Sequence, residues 1–258
     1  MILYSTTGRY VFMKSRVEIK AEAKAVIRTG RVSPLIVSAI VIVVGLVLSE
    51  VSSLVDTCEL SYMQLFYELG LAERPDVIYR HSQAAAFLST LASLVNTVLN
   101  AGYLSYLMGI RKGWEMPYSS LLDGLSIAGK VIWCNILMGI KIFLWSMLFI
   151  VPGIIASYRY RFALYNIIEN PSLSVSEAIA LSCRQTEGMK MELFVLDVSF
   201  FGWELVTILT GGVAGIWTRP YIALSDLGYY EMGCHRVGTP PRQDTTYDPS
   251  RNDTPWEL

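Results

Sequence analysis

The stretch PLIVSAIVIVVGLVL, residues 34–48, decides the fold class, because it contains no charged residue and consists mainly of Val, Ile and Leu. The next charged residue is Glu50. An α-helix needs about 20 predominantly apolar residues to cross the hydrocarbon core of a bilayer. We therefore interpret this stretch as the centre of a first membrane-spanning helix.

Similar apolar blocks alternate with short charged stretches along the rest of the chain. The 258 residues are 53% hydrophobic and only 17% charged, whereas soluble domains contain about 25% charged residues. The pattern predicts an all-α fold, a polytopic transmembrane helix bundle of about six spans. The predicted spans cover about residues 33–54, 84–110, 131–151, 154–169, 192–210 and 213–231.

The two ends of the chain differ from this membrane domain, which we assign to residues 13–232. Residues 1–12 are poorly patterned, and Met13 resembles a natural initiator, so we expect a non-native or disordered start. Residues 233–258 are rich in Pro, Thr, Asp and Arg, which predicts a disordered cytoplasmic tail. The fourth span, 154–169, is short and charged, and a re-entrant or tilted helix is the alternative there.

Three amphipathic surface helices are predicted, one before the first span and two between later spans. Each begins with a capping box, in which a Ser and an acidic side chain satisfy each other's free amides. The three boxes are Ser15-x-x-Glu18, Ser120-x-x-Asp123 and Ser174-x-x-Glu177. Each helix precedes a Gly and a basic residue, at Gly30-Arg31, Gly129-Lys130 and Gly188-Met189-Lys190. A threefold internal repeat explains this recurrence. The alternative is that any surface helix leading into a span needs a cap, a break and a base.

The distribution of Lys and Arg predicts the orientation. Of the 21 basic residues, fifteen fall on one side of the predicted spans, and only Arg74 and Arg80 fall on the other. Basic residues mark the cytoplasmic face. With six spans, both termini are then cytoplasmic, and the acidic loop 55–82 lies outside the cell.

Seven charged residues fall inside the predicted spans, where each costs a few kcal/mol unless it finds a partner or water. This candidate polar cluster comprises Lys141, Arg159, Arg161, Asp197, Glu204, Arg219 and Asp226. We expect these side chains to pair across spans three to six. They are then either structural ion pairs or a polar pathway or site for a charged head group.

Several function classes have no support in the sequence. The net charge of −1 gives no reason to expect nucleic acid as a partner. The four cysteines are scattered and the chain has only two histidines, so we predict neither a metal site nor a disulfide framework. No catalytic or cofactor-binding motif occurs. We therefore expect no cofactor and no enzymatic activity.

Motifs in the second half of the chain resemble those of a family of bacterial integral membrane proteins, domain of unknown function 975. The motifs are Val151-Pro152-Gly153-Ile154-Ile155, Asn170-Pro171 with Ser174-x-x-Glu177-Ala178-Ile179, Gly188 to Leu193-Phe194, Asp197-x-Ser199-Phe200, Gly202-Trp203 and Trp217-x-x-Pro220-Tyr221. The resemblance extends over about Met13 to Glu231. A more distant resemblance is to the membrane domain of some glycerophosphodiester phosphodiesterases, whose catalytic domain this chain lacks.

The resemblance implies a multi-span protein of the bacterial cytoplasmic membrane and brings no established activity. We expect a membrane interaction or accessory protein in envelope or lipid homeostasis. Membrane lipids are the expected partners, together with a second membrane protein or further copies of this chain. The alternative is a small transporter or lipid-handling protein that uses the polar residues of spans three to six.

Overall fold

The structure is a computed structural model that describes residues 2–4, 10–12, 14–29, 33–70 and 83–239. Its side chains are described at 14–28, 33–51, 68–70 and 86–239. Gly30-Arg31, residues 71–82 of the acidic loop and tail residues 240–258 lie outside the described residues.

Helices form nearly all of this described part, which confirms the all-α prediction. The α-helices are α1 (Arg16–Thr29), α2 (Pro34–Glu68), α3 (Gln83–Arg111), α4 (Ala128–Leu148), α5 (Ile150–Tyr160), α6 (Ala163–Glu169), α7 (Val175–Gln185), α8 (Lys190–Leu209) and α9 (Gly215–Val237). A 3₁₀ helix, Tyr118–Leu125, precedes α4. Two short antiparallel strands, β1 (Ile2–Tyr4) and β2 (Tyr10–Phe12), pair within the expected disordered start. That expectation is therefore wrong at these six residues, because their backbones hydrogen-bond to each other.

Helix α2 is longer than the first predicted span. It continues to Glu68 through the first half of the segment that we interpreted as an external loop. No Pro follows Pro34 and no Gly follows Gly45 until Gly70, so nothing in the sequence breaks the helix. The 35 residues make a helix about 50 Å long, which exceeds the thickness of a bilayer's hydrocarbon core.

The fourth predicted span is divided into two short helices. Helix α5 has eleven residues and α6 has seven, with a break at Arg161 and Phe162. The turn that precedes α5 lies at Phe149, whose backbone is extended. Pro152 instead occupies the first turn of α5, where its missing N–H costs nothing. Helix α9 also continues to Val237, past the predicted boundary of the tail at residue 233.

Two of the three predicted capping boxes are confirmed. The Ser15 and Ser174 hydroxyls accept from the amides of Glu18 and Glu177, and both glutamates bond back to the serine amides. The predicted box at Ser120 is wrong. Ser120 is buried inside the 3₁₀ helix, which begins after Pro117, and its hydroxyl donates to the Pro117 carbonyl. The second unit of the proposed repeat therefore departs from the other two.

The buried core lies at one end of the helices. In α4 no residue beyond Cys134 is buried, and in α8 none beyond Phe200. In contrast, nearly all of Leu224–Cys234 in α9 is buried. We call this side the packed end: it comprises α1, α6, α7, residues 224–234 of α9 and the first halves of α4 and α8.

The opposite side is apolar but exposed, and we call it the apolar end. It consists of two hairpins, α4–α5 over residues 135–155 and α8–α9 over residues 201–217. Large exposed side chains there include Phe143, Leu148, Ile150, Phe201, Ile208 and Leu209. An exposed apolar surface of this extent is unusual for a soluble protein and indicates a membrane or partner surface.

Within the described part of the chain, three helices are long and apolar enough to cross a membrane: α2 over Pro34–Val51, α3 over Ala86–Arg111 and α4 over Ala128–Leu148. Helix α5 reaches only about 17 Å at 1.5 Å per residue. These lengths and compositions fit a membrane protein. They do not establish the predicted count of six spans.

Glycines permit close packing at two positions. A Cβ on Gly102 would overlap the carbonyl oxygen of Leu121, and one on Gly153 would overlap Ser146. Gly129 and Gly139 have open space around them. The 3₁₀ helix thus rests on α3 through Gly102.

Candidate functional site

Three of the seven predicted charged residues form a cluster where α5, α8 and α9 meet. The two terminal guanidinium nitrogens of Arg161 donate to the two carboxylate oxygens of Asp197 at 2.7 and 2.8 Å. One of these nitrogens also donates to both oxygens of Asp226, at 2.8 and 2.9 Å. We name this set the Arg161 cluster. It confirms the expected pairing across helices for these three residues.

A tyrosine completes the partners of the Arg161 cluster. The Tyr158 hydroxyl donates to Asp197 at 2.8 Å, and its ring contacts the edge of Phe194. The side chain of Asp226 is only 10% exposed, against 35% for Asp197. Charge-assisted, bidentate hydrogen bonds of this kind fix the orientation of the guanidinium group and of the carboxylate. The cluster therefore holds α5, α8 and α9 in one arrangement.

The break between α5 and α6 places Arg161 at this meeting point. Helix α7 supplies the hydrogen bonds that the broken helix lacks. The Ser182 hydroxyl accepts from the amide of Phe162 and donates to the carbonyl of Arg159, which also accepts from Thr186. Non-helical backbone at membrane depth is tolerated only where protein or water satisfies it. Both hydroxyls come from one face of α7, four residues apart.

The other four predicted residues do not join the Arg161 cluster. Glu204 and Arg219 are exposed on α8 and α9. Lys141 and Arg159 lie together elsewhere, beside an open groove of about 470 Å³ between α4, α5 and α7. Arg184 of α7, which the sequence analysis left out, is the third cation of this groove. We call it the basic groove.

The basic groove contains three positive side chains and no acidic one. Its further lining includes Tyr160, Ser176 and Cys183. The ammonium group of Lys141 lies 5.7 Å from the centre of the Tyr160 ring. Among the described residues no carboxylate pairs with any of the three cations. The groove can therefore accept an anion.

A second charge network, which the sequence analysis missed, joins α1, α3 and α9. Arg111 donates to Glu231 at 2.6 and 2.9 Å and to Glu22 at 3.1 Å. Its side chain is only 6% exposed. The basic Arg111-Lys112 pair marked the predicted cytoplasmic end of a span, but nothing in the sequence identified these partners. The network ties α1 to the bundle.

Helix α1 packs against the protein rather than lying free on a membrane surface. Ile19 and Ala23 are fully buried in the core. Lys20 donates to Ser199 at 2.6 Å and lies 4.1 Å from the centre of the Phe200 ring. Its burial, with the neighbouring charges of Arg16 and Lys24, lowers its pKa. The predicted amphipathic helix therefore buries its apolar side within the packed end.

The packed end also holds a buried amide pair that the sequence analysis missed. Asn166 of α6 and Gln185 of α7 exchange two hydrogen bonds of 2.9 Å. Gln185 also donates to the sulfur of Cys234 in α9. Single Asn and Gln residues are common in surface helices, so no sequence signal singled out this pair. It links three elements across the core.

The described residues contain no group of three His, Cys, Asp or Glu side chains that could hold a metal ion. Cys134, Cys183 and Cys234 are free thiols. The charged side chains described above form ion pairs and line the basic groove.

The fold defines the class: an all-α protein with three helices of membrane-spanning length and a core at one end. Within it, residues 149–233 match the model of the family described as "Protein of unknown function (DUF975)". The match is to the family that the motifs resemble, and it extends over about a third of the chain. The matched segment runs from the start of α5 through most of α9 and contains the whole Arg161 cluster and the Asn166–Gln185 pair.

Neither the curated proteins nor the solved structures contain a match to this chain. The more distant resemblance to the membrane domain of glycerophosphodiester phosphodiesterases is not shown by these comparisons. The matched family brings no activity, so the function has to be argued from the charged groups and surfaces described above.

Proposed function

We propose that this protein is a multi-pass protein of the bacterial cytoplasmic membrane that acts as an interaction or accessory protein in envelope or lipid homeostasis. Both termini are cytoplasmic in this proposal, and the packed end faces the cytoplasm. The observation that carries the accessory role is the complete pairing of the Arg161 cluster. Its charges bond to one another and leave no free group to handle a solute.

The membrane location is supported by the three long apolar helices and by the exposed apolar end. Side chains such as Phe149 and Ile150 at the tip of the α4–α5 hairpin are about 70% exposed or more. In water this exposure would drive association, whereas lipid tails solvate it. The orientation is supported by Arg111, Lys112 and Lys130, which lie at the packed end, as cytoplasmic basic residues should.

A transport role would need polar groups along a continuous path through the bundle. Lys141 lines the basic groove, Asp197 belongs to the Arg161 cluster, and Arg219 is exposed apart from both. Asp197 and Arg219 therefore do not line the groove that Lys141 lines. The second candidate, lipid handling, is favoured by one observation, the unpaired cations of the basic groove.

Deletion of the gene in its bacterial host, followed by complementation, tests the accessory role. We expect the deletion strain to show altered sensitivity to envelope stress, such as osmotic shock or cell-wall antibiotics, or an altered lipid composition by mass spectrometry. A deletion strain with normal envelope and normal lipids would contradict the proposal.

Complementation of the deletion strain with a variant tests whether the Arg161 cluster has only a structural role. Arg161→Met with Asp226→Leu and Asp197→Asn removes all three charges and leaves an acceptor for the Tyr158 hydroxyl. We expect this variant, at wild-type abundance in the membrane, to restore the normal phenotype. Failure to complement at normal abundance would show that the charges themselves are used, and would favour the transport alternative. Glu204→Gln, an exposed charge outside the cluster, is the matched control.

A further inference from the structure

The basic groove presents a charge imbalance that the Arg161 cluster does not. Lys141, Arg159 and Arg184 bring three positive charges to one opening of about 470 Å³. The Arg159 and Arg184 side chains are exposed, and Lys141 is half-buried. Like charges around one opening repel each other, and an anion between them would relieve that repulsion. The groove therefore suits a negatively charged occupant.

The chemistry of the lining favours phosphate. Arginine presents a planar fork of donors that matches the oxygens of a phosphate, and lysine adds a point charge. The Ser176 hydroxyl supplies a further donor, and the Tyr160 ring forms part of the wall. A single carboxylate would leave most of these donors without partners. A phosphate diester or monoester has the oxygens to meet all three cations.

The surroundings of the groove indicate where this phosphate comes from. On α4, exposed Leu144 and Trp145 follow Lys141 by three and four residues and therefore lie on the same face of the helix, within the apolar end. On α5, Arg159 lies four residues beyond exposed Ile155. An occupant with both a phosphate and hydrocarbon chains would contact the cations and these apolar side chains together. That is the chemistry of an anionic phospholipid.

We propose that the basic groove binds the phosphate of an anionic phospholipid head group through Lys141, Arg159 and Arg184, with the acyl chains lying along the exposed apolar residues of α4 and α5. This inference goes beyond the accessory role and does not depend on it. A soluble phosphate ester offers the same head-group chemistry, and the experiment separates the two sources.

Cys183 provides the readout, because its partly exposed thiol lines the groove. Cys134 and Cys234 are buried. The full-length protein carrying Cys58→Ser is purified in a neutral detergent, and the rate of maleimide labelling of Cys183 is measured. Addition of Cys183→Ser defines the background. An occupant of the groove should slow the labelling.

The ligands are compared in parallel: mixed micelles with phosphatidylglycerol, micelles with phosphatidylcholine, and soluble glycerol phosphate or inorganic phosphate. We expect phosphatidylglycerol to slow labelling several-fold and phosphatidylcholine to have little effect. Each of Lys141→Gln, Arg159→Gln and Arg184→Gln should weaken the apparent affinity roughly tenfold, as expected for loss of one charge-assisted hydrogen bond. Arg28→Gln, an exposed cation on α1, is the matched control and should leave the affinity unchanged.

Protection by soluble phosphate at the same concentration, without any lipid, would overturn the lipid assignment and identify a soluble phosphate ester as the occupant. Equal protection by phosphatidylcholine would overturn the charge recognition. No protection by any ligand would overturn the site itself. If Lys141→Gln does not accumulate, Arg184→Gln carries the test, because its side chain is exposed on α7 and supports no described contact. The assay uses purified protein, so its outcome is independent of the deletion phenotype.

Discussion

Asn166 and Gln185 face each other across the core and satisfy each other's amides, each donating one hydrogen bond of 2.9 Å to the other. Neither residue is more than 1% exposed. Asn166 donates in addition to the carbonyl of Ala178, and Gln185 to the sulfur of Cys234. A buried polar group without a hydrogen-bond partner is costly, so each amide depends on the other for its hydrogen bonds. The pair thus fixes how α6, α7 and α9 pack.

Removal of both members of this pair should therefore destabilise the protein by less than the sum of the two single removals. We expect Gln185→Met or Asn166→Leu to cost about 1–3 kcal/mol, the penalty for an unsatisfied buried amide. The double variant should cost less than the sum of the two. The temperature at which each purified variant loses its monodisperse peak in size-exclusion chromatography measures the effect. Strictly additive losses would show that the two amides do not depend on each other.

The Arg161 cluster should behave in the same way, but with larger effects. Arg161→Met leaves the Asp197 and Asp226 carboxylates close together without a counter-charge, and we expect a loss of about 3–5 kcal/mol. The triple variant with Asp226→Leu and Asp197→Asn should recover most of this loss. Asp197→Asn alone should have a smaller effect, since Asp197 is more exposed and Asp226 still pairs with Arg161. Equal stability of Arg161→Met and the wild type would contradict this account of the cluster.

The contact between α3 and the 3₁₀ helix should depend on Gly102. An alanine there would overlap the Leu121 carbonyl, so Gly102→Ala forces the two backbones apart. We expect a loss of about 1–3 kcal/mol, typical of overpacking, and a lower yield of folded protein. Gly139→Ala in α4 is the control, because nothing lies near that position and alanine favours a helix. It should leave stability unchanged or raise it slightly. If Gly102→Ala left the stability unchanged, the 3₁₀ helix would have to lie farther from α3 than the structure places it.

The stability of the protein should depend on pH through Asp123. Burial raises the pKa of this carboxyl from 3.8 to about 6 in the folded protein. Between these two values the folded state binds the proton more tightly than the unfolded state, so stability falls as the pH rises through this range. Asp123→Asn should therefore be neutral at pH 4 and stabilising at pH 7, as measured by thermal unfolding in detergent. A constant difference across that range would refute the assignment.

A variant at Glu177 should show the opposite trend and serves as a comparison. The hydrogen bonds to the Ser174 hydroxyl and amide lower the pKa of this carboxylate below its ordinary 4.5. Its contribution is therefore present above that value and is lost as the pH falls through the lowered pKa. Glu177→Gln should consequently be less stable than the wild type at pH 7 and should converge with it in acid. Parallel curves for the two variants would show that the pH effect is general rather than local.

The sequence by itself determined the helical class, the long apolar helices and the caps at Ser15 and Ser174. These features are local: hydropathy sums over a window of residues, and a capping box satisfies groups only three residues apart. The motifs that resemble the matched family are also local in sequence, and most of them lie within the matched residues 149–233. It singled out the charged residues that need partners, because charge inside an apolar block is expensive wherever the chain goes.

Only the tertiary structure decided which of these charges pair. Arg161 meets Asp197 and Asp226 across 36 and 65 positions of sequence, and its approach depends on a helix break that Ser182 stabilises from α7. Arg184 lines the basic groove, whereas Glu204 and Arg219 lie outside both the groove and the Arg161 cluster. The packing of the helices determines which of these side chains lie close together. The hydropathy pattern shows that a charged residue in an apolar segment needs a partner. The energy of an ion pair depends on the distance and orientation of the two side chains, which residues nearby in sequence do not determine.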